Sequence, residues 1–85
     1  MTIHNIKILK VFAEAVAKGD KTFEIRENDR GYQKGDHIRF KTIDRSGILV
    51  LDSPLDNKEY EITYILNGWG LRDGWVVLAI KEVQK

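Results

Sequence analysis

One stretch of this chain has the hydrophobic spacing of a helix and six have the spacing of strands, an inventory that few folds of 85 residues can satisfy. Leu9, Phe12, Ala13, Val16 and Ala17 recur at three-and-four intervals, the stripe of an amphipathic helix, and Gly19 stands where a left-handed C-cap belongs. Nothing marks the start of this helix, since no Ser, Thr, Asp or Asn precedes it and no Pro opens it. The remaining ordered segments read as extended: residues 3–8, 22–26, 37–43, 48–51, 59–66 and 75–83. Between them lie turn formers, densest over residues 27–36, at Asp44-Arg-Ser-Gly47 and over 52–57, which holds the only Pro.

A chain this short holds one core, so residues 1–85 are expected to form a single α+β domain. An open flat sheet of so many strands would leave long edges exposed. The expected architecture is therefore a small curled β-barrel of about five to six mixed, mainly antiparallel strands, with the N-terminal helix plugging one opening. Residues 75–80 are almost uninterruptedly apolar, which predicts a central strand covered on both faces, one of them by the helix. Tyr60, Ile62, Tyr64 and Leu66 would share one face of the preceding strand. In residues 22–26, Phe23 and Ile25 lie on one face and Thr22, Glu24 and Arg26 on the other, the pattern of a half-buried strand.

Several chemistries are excluded or disfavoured. With no Cys there is neither a disulfide framework nor a thiolate, which suits a reducing compartment and makes the cytoplasm the expected location. Lys7, Lys10 and Glu14 interrupt any signal-peptide core, and no apolar run approaches the roughly 20 residues that span a bilayer. Phosphate loops, nucleophile elbows and histidine pairs at helical spacing are absent from the sequence. His4 and His37 are isolated imidazoles, so no metal and no cofactor is expected. Net charge is only +1, but residues 18–45 carry eight Lys or Arg against six acids, a mild basic bias compatible with a phosphate-bearing partner.

The segment that stands out is Gly19-Asp-Lys-Thr-Phe-Glu-Ile-Arg26, followed by Asn28-Asp-Arg30 and Lys34-Gly-Asp36. Glu24 and Arg26, two apart on a strand, project from one face about 7 Å apart, and Lys21 at the helix-to-strand corner reaches the same opening. As a plain surface ion pair the group would contribute about 0 to 1 kcal/mol and call for no special order. Taken with His4 and Lys7 on the first strand, Tyr64-Ile65, and Gly74 to Leu78 near the end, the pattern resembles the ASCH domains of the PUA-like superfamily. It lies nearest an uncharacterised bacterial and phage branch of them. Lys10 departs from that branch, which often has Pro opening the helix.

The resemblance implies a polar cleft between helix and barrel that binds RNA or a modified nucleoside through Lys21, Glu24 and Arg26, with Lys7 and Arg30 in support. Arg26 and Lys21 would neutralise phosphate and Glu24 would accept from an exocyclic amine, the mixture that an extruded base calls for. Asp29 is expected to lock its own turn. A second reading is a small metal-independent hydrolase of an acylated nucleoside or of RNA. The amidohydrolase pattern places a nucleophilic Thr three positions after the Lys; that position here is Glu24, leaving Thr22 as the nearby hydroxyl for Lys21 to activate. Trp69, between two glycines in Asn67-Gly-Trp-Gly70, either plugs the barrel end or stands at the cleft rim to stack on a base. A third reading makes Trp69 and the Leu71 region a contact patch for another protein.

Overall fold

In the computed structural model, which describes residues 1–84, strand β1 (Ile3–Leu9) runs without a loop into helix α1 (Lys10–Ala17). Then follow β2 (Phe23–Glu27), β3 (His37–Ile43), β4 (Tyr60–Asn67) and β5 (Trp75–Glu82). The strands form one mixed sheet in the order β1-β3-β4-β5-β2, with β1 parallel to β3 and every other pair antiparallel. The α+β class is therefore that of the molecule. Among the described residues no helix is long and apolar enough to cross a membrane.

The helix ends as its Gly signal predicts. Gly19 adopts φ +82°, and the amides of Gly19 and Asp20 donate to the carbonyls of Val16 and Ala15, the paired bonds of a Schellman motif. Lys21 also donates its amide to Ala15, so the chain leaves the helix in a fixed direction. Ala13 and Val16 enter the core, and α1 packs against β1 and β3. It meets β5 at one end, where Val16 and Ala17 line a hollow with Ile80. That strand is central but half-buried on its outer face, where Trp75, Val77 and Ala79 alternate with the buried Val76, Leu78 and Ile80.

Closure into a barrel does not occur by backbone pairing. β3 and β4 pair at only two positions, His37 with Glu61 and Ile38 with Tyr60, before they diverge, and β1 and β2 remain the two edges. The expected strand at residues 48–51 reduces to one bridge between Ile43 and Leu49, with bonds from the Val50 amide to the Thr42 carbonyl and from the Asp44 amide to the Ile48 carbonyl. Ile48, Leu49 and Leu51 are exposed, so no core packs on that segment to hold it in the sheet. The sheet is nonetheless curled: Arg26 on one edge strand donates a 2.9 Å hydrogen bond to the Lys7 carbonyl on the other.

The face assignment on β4 differs from the alternation read in the sequence, and on β2 the fold decides which face is inside. A bulge between Ile62 and Tyr64 on β4 inserts one residue, so Tyr60 and Ile62 face the core while Tyr64 turns outward at 60% exposure. On β2 the alternation is present but the buried half is the charged one. Glu24 is 5% exposed, whereas Phe23 and Ile25 are 41% and 50% exposed. Register explains this, because Glu24 and Arg26 pair with the inward Leu78 and Val76, and Phe23 and Ile25 pair with the outward Ala79 and Val77.

The segment after β2 closes the end of the curled sheet away from the helix. Tyr32 is buried in the core, its ring 4.7 Å from that of His4. The turn is locked by Asn28, whose Oδ1 accepts from the Tyr32 amide at 3.0 Å, and not by Asp29, whose carboxylate accepts no hydrogen bond among the described residues. Asp36 accepts from the amides of Thr2 and Gln33 and meets His4 Nε2 at 2.8 Å, tying β1 to the entry of β3.

Candidate functional site

Because β1 and β2 face each other without pairing, the seam between them is a cleft, of ≈ 580 Å³, roofed by α1. Its position follows from the topology. β2 hydrogen-bonds to β5 on one side, where the Thr22 carbonyl accepts from the Ile80 amide and the Asn28 amide donates to the Gly74 carbonyl just before that strand. The ladder alternates, so the main chain of Glu24 and Arg26 faces β5 and that of Phe23 and Ile25 faces the seam. The Phe23 carbonyl fits this, for it accepts from Lys21 Nζ at 2.7 Å.

Lys21, Glu24 and Arg26 all line the cleft. Lys21, aimed by the helix C-terminal motif, also donates to Glu24 Oε1, and its ammonium lies 5.4 Å from the Phe12 ring centroid and 5.1 Å from that of Phe23. Arg26 Nη1 stands 3.5 Å from Glu24 Oε2 and bonds across the seam to the Lys7 carbonyl. A buried carboxylate is thus held between two cations, which offsets its desolvation and fixes the direction of both cationic side chains. The group cannot be read as a loose surface pair.

The Tyr32 hydroxyl is buried beside Arg26, outside the residues that line the cleft, without a well-formed hydrogen bond among the described residues. Burial raises its pKa above the ordinary 10.0, while the nearby Arg26 and Arg30 guanidinium groups pull it back. Among the described residues, no three His, Asp or Glu side chains gather as metal ligands would.

Lys7 also lines the cleft, and its carbonyl accepts from Arg26, while its side chain lies on the exposed face of β1. The other residues proposed from sequence sit elsewhere. Arg30 is exposed and does not line the cleft. Thr22 is exposed and lies just before β2; its carbonyl accepts from the Ile80 amide, and the residue lines a different hollow with Gly19, Ile80 and Glu82. Trp69 is 90% exposed at φ +52°, so it plugs nothing, and it does not line the seam. Flanking glycines in the same left-handed region hold the loop in a shape that leaves the indole nothing to pack on.

Phe12 and Tyr32 were not singled out from the sequence. Phe12 looks like a core position of the helix stripe, yet it is 46% exposed over the cleft because β1 enters the helix directly and leaves its first turn outside the sheet. Its pairing with Lys21 was available only as a corner geometry. Tyr32 gave no signal beyond its place in a polar turn.

Compared with protein-family models, residues 3–80 match one family, described as Domain of unknown function (DUF3850). No curated protein matches the chain.

Proposed function

Because the chain belongs to the DUF3850 family, whose description assigns no activity, its function has to be read from its own geometry, and we propose that the seam cleft binds a nucleobase carried by a nucleoside or by RNA. The observation that carries this reading is the buried Glu24 carboxylate clamped between Lys21 and Arg26 inside a cleft walled by Phe12, Phe23 and Ile25. Aromatic and aliphatic walls receive the flat face of a base; stacking of this kind contributes about 1 to 3 kcal/mol per base. Seam-facing main-chain groups of Ile25 and the Glu24 carboxylate supply acceptors and a donor for a base edge, and the two cations attract phosphate. In this reading the curled, open sheet is a variant of the PUA-like barrel of ASCH domains, its seam serving as the base entrance. A cytoplasmic location belongs to the same reading, since a cysteine-free chain requires no oxidising compartment.

Binding is favoured over hydrolysis by two placements. Thr22 lines another hollow, and the Lys21 ammonium is already engaged by Glu24 and the Phe23 carbonyl, so no activated hydroxyl faces the cleft from that corner. One observation favours a protein contact as a second reading: Trp69 is almost fully exposed in a backbone region that costs a non-glycine residue about 1 kcal/mol or more.

Calorimetric titration with nucleosides, nucleotides and short single-stranded RNA tests the proposal. The expected result is saturable binding that Glu24→Gln and Arg26→Ala each weaken about tenfold or more, a loss of about 1.4 kcal/mol, with circular dichroism unchanged. Few phosphates can touch so small a site, so the salt slope should be shallow, about 0.7 per phosphate contacted. Absence of binding by every nucleoside and oligomer at low salt overturns it.

A further inference from the structure

The seam cleft does not end at the helix. Phe12 and Leu9 also line a second hollow, of ≈ 610 Å³, whose other walls are Lys10, Val11, Glu14, Asp44 and Arg45. The two hollows adjoin at Leu9 and the half-exposed Phe12 ring, where β1 turns into α1, and together can serve as one groove. Each compartment by itself has the size of a small-ligand site, about 300 to 1,000 Å³.

We propose that this groove holds a single strand of RNA of at least two nucleotides, with one base in the seam, Phe12 as the platform between neighbouring bases, and Lys10 and Arg45 attracting the phosphate that joins them. The inference rests on the nucleobase-binding reading and specifies its ligand. Charge along the second compartment supports it in part. Lys10 and Arg45 are both exposed, while Asp44, whose Oδ1 accepts from the amides of Ser46 and Ile48 at 2.9 Å each, and Glu14 line the same compartment and keep the phosphate attraction modest. A lone nucleoside fills one compartment and leaves the Phe12 ring half-covered. A dinucleotide covers both sides of it, and stacking plus one phosphate contact should raise affinity by about tenfold or more.

The test is a length series. Binding of a 5′-mononucleotide and of di-, tri- and tetranucleotides of the same base is measured for the natural chain and for the double variant Lys10→Glu with Arg45→Glu. Both positions are exposed, so thermal melting of the variant should be unchanged and affinity comparisons remain meaningful. The expected result is a gain of about tenfold or more from one to two or three nucleotides, then a plateau, with the gain lost in the double variant and mononucleotide affinity kept. A mononucleotide that binds as tightly as the oligomers, or a length gain that the double variant retains, overturns the inference and leaves the nucleobase site standing. Failure of all lengths to bind removes both.

Discussion

Glu24 occupies the least expected environment of any residue in the molecule: a carboxylate, 5% exposed, on the inner face of an edge strand. Its burial is tolerable because Lys21 and Arg26 supply opposite charge and hydrogen bonding together. Glu24→Ala would leave two cations crowded without a counter-charge, and is expected to lower unfolding free energy by about 1 to 3 kcal/mol in urea titration. A variant as stable as the natural chain would show that the triad is solvated. Asp36 makes a second residue-scale prediction. Its pKa lies below the usual 3.8, chiefly through the bond to His4 and then through the Thr2 and Gln33 amides, against the opposing effect of burial. A lowered folded pKa contributes stability that is fully present above the unfolded value and is lost as pH falls through the folded one. Stability of the natural chain should therefore drop below about pH 3.8, and Asp36→Asn should flatten that acid limb. An unchanged limb would place the acid sensitivity elsewhere, for instance at Glu59, which His37 and Arg39 hold below its usual 4.5.

At the scale of elements, β2 shows that alternation fixes which residues share a face but not which face is inside, and β4 that a bulge overrides even the first. The sequence of β2 offers an apolar pair and a charged pair, and propensity alone favours burying Phe23 and Ile25. Pairing with β5 decides otherwise, because Leu78 must face the core and carries Glu24 with it. Ile25→Thr, on the outer face, should therefore change stability by no more than about 0.5 kcal/mol. Leu78→Ala, fully buried opposite Glu24, should cost about 2 to 5 kcal/mol. Equal costs in chemical denaturation would mean that the faces are reversed in solution. On β4 the bulge before Tyr64 separates that residue from the inward Tyr60 and Ile62. It moves Tyr64 and Leu66 beside Phe23 and Ile25, through Ala79 and Val77, and gives the outer face two apolar rows across three strands.

For the molecule as a whole, the open seam is the feature on which both rigidity and ligand access depend. Arg26 staples the sheet edges through the Lys7 carbonyl, a contact between residues nineteen apart in sequence. Arg26→Met keeps an apolar stem but removes the donor. Hydrogen exchange of β1 and β2 amides should then accelerate by about tenfold, while β4 and β5 are unaffected. Uniform exchange in both proteins would show that the backbone ladders alone hold the edges together. The positions of the helix and of all five strands were legible in the chain, because spacing of apolar residues and glycine turns are local properties; which face of β2 is inside was not, and the sixth expected strand, at residues 48–51, reduces to a bridge. The charged cluster at residues 21–26 was legible as well, since strand geometry alone puts Glu24 and Arg26 on one face. Three things were decided only in three dimensions: that the barrel stays open, that the cluster faces inward, and that Phe12 lines its cleft. Each depends on which strands become neighbours and in what register. Those pairings are settled by the total burial of one small core, a sum over residues far apart in sequence that no local pattern contains.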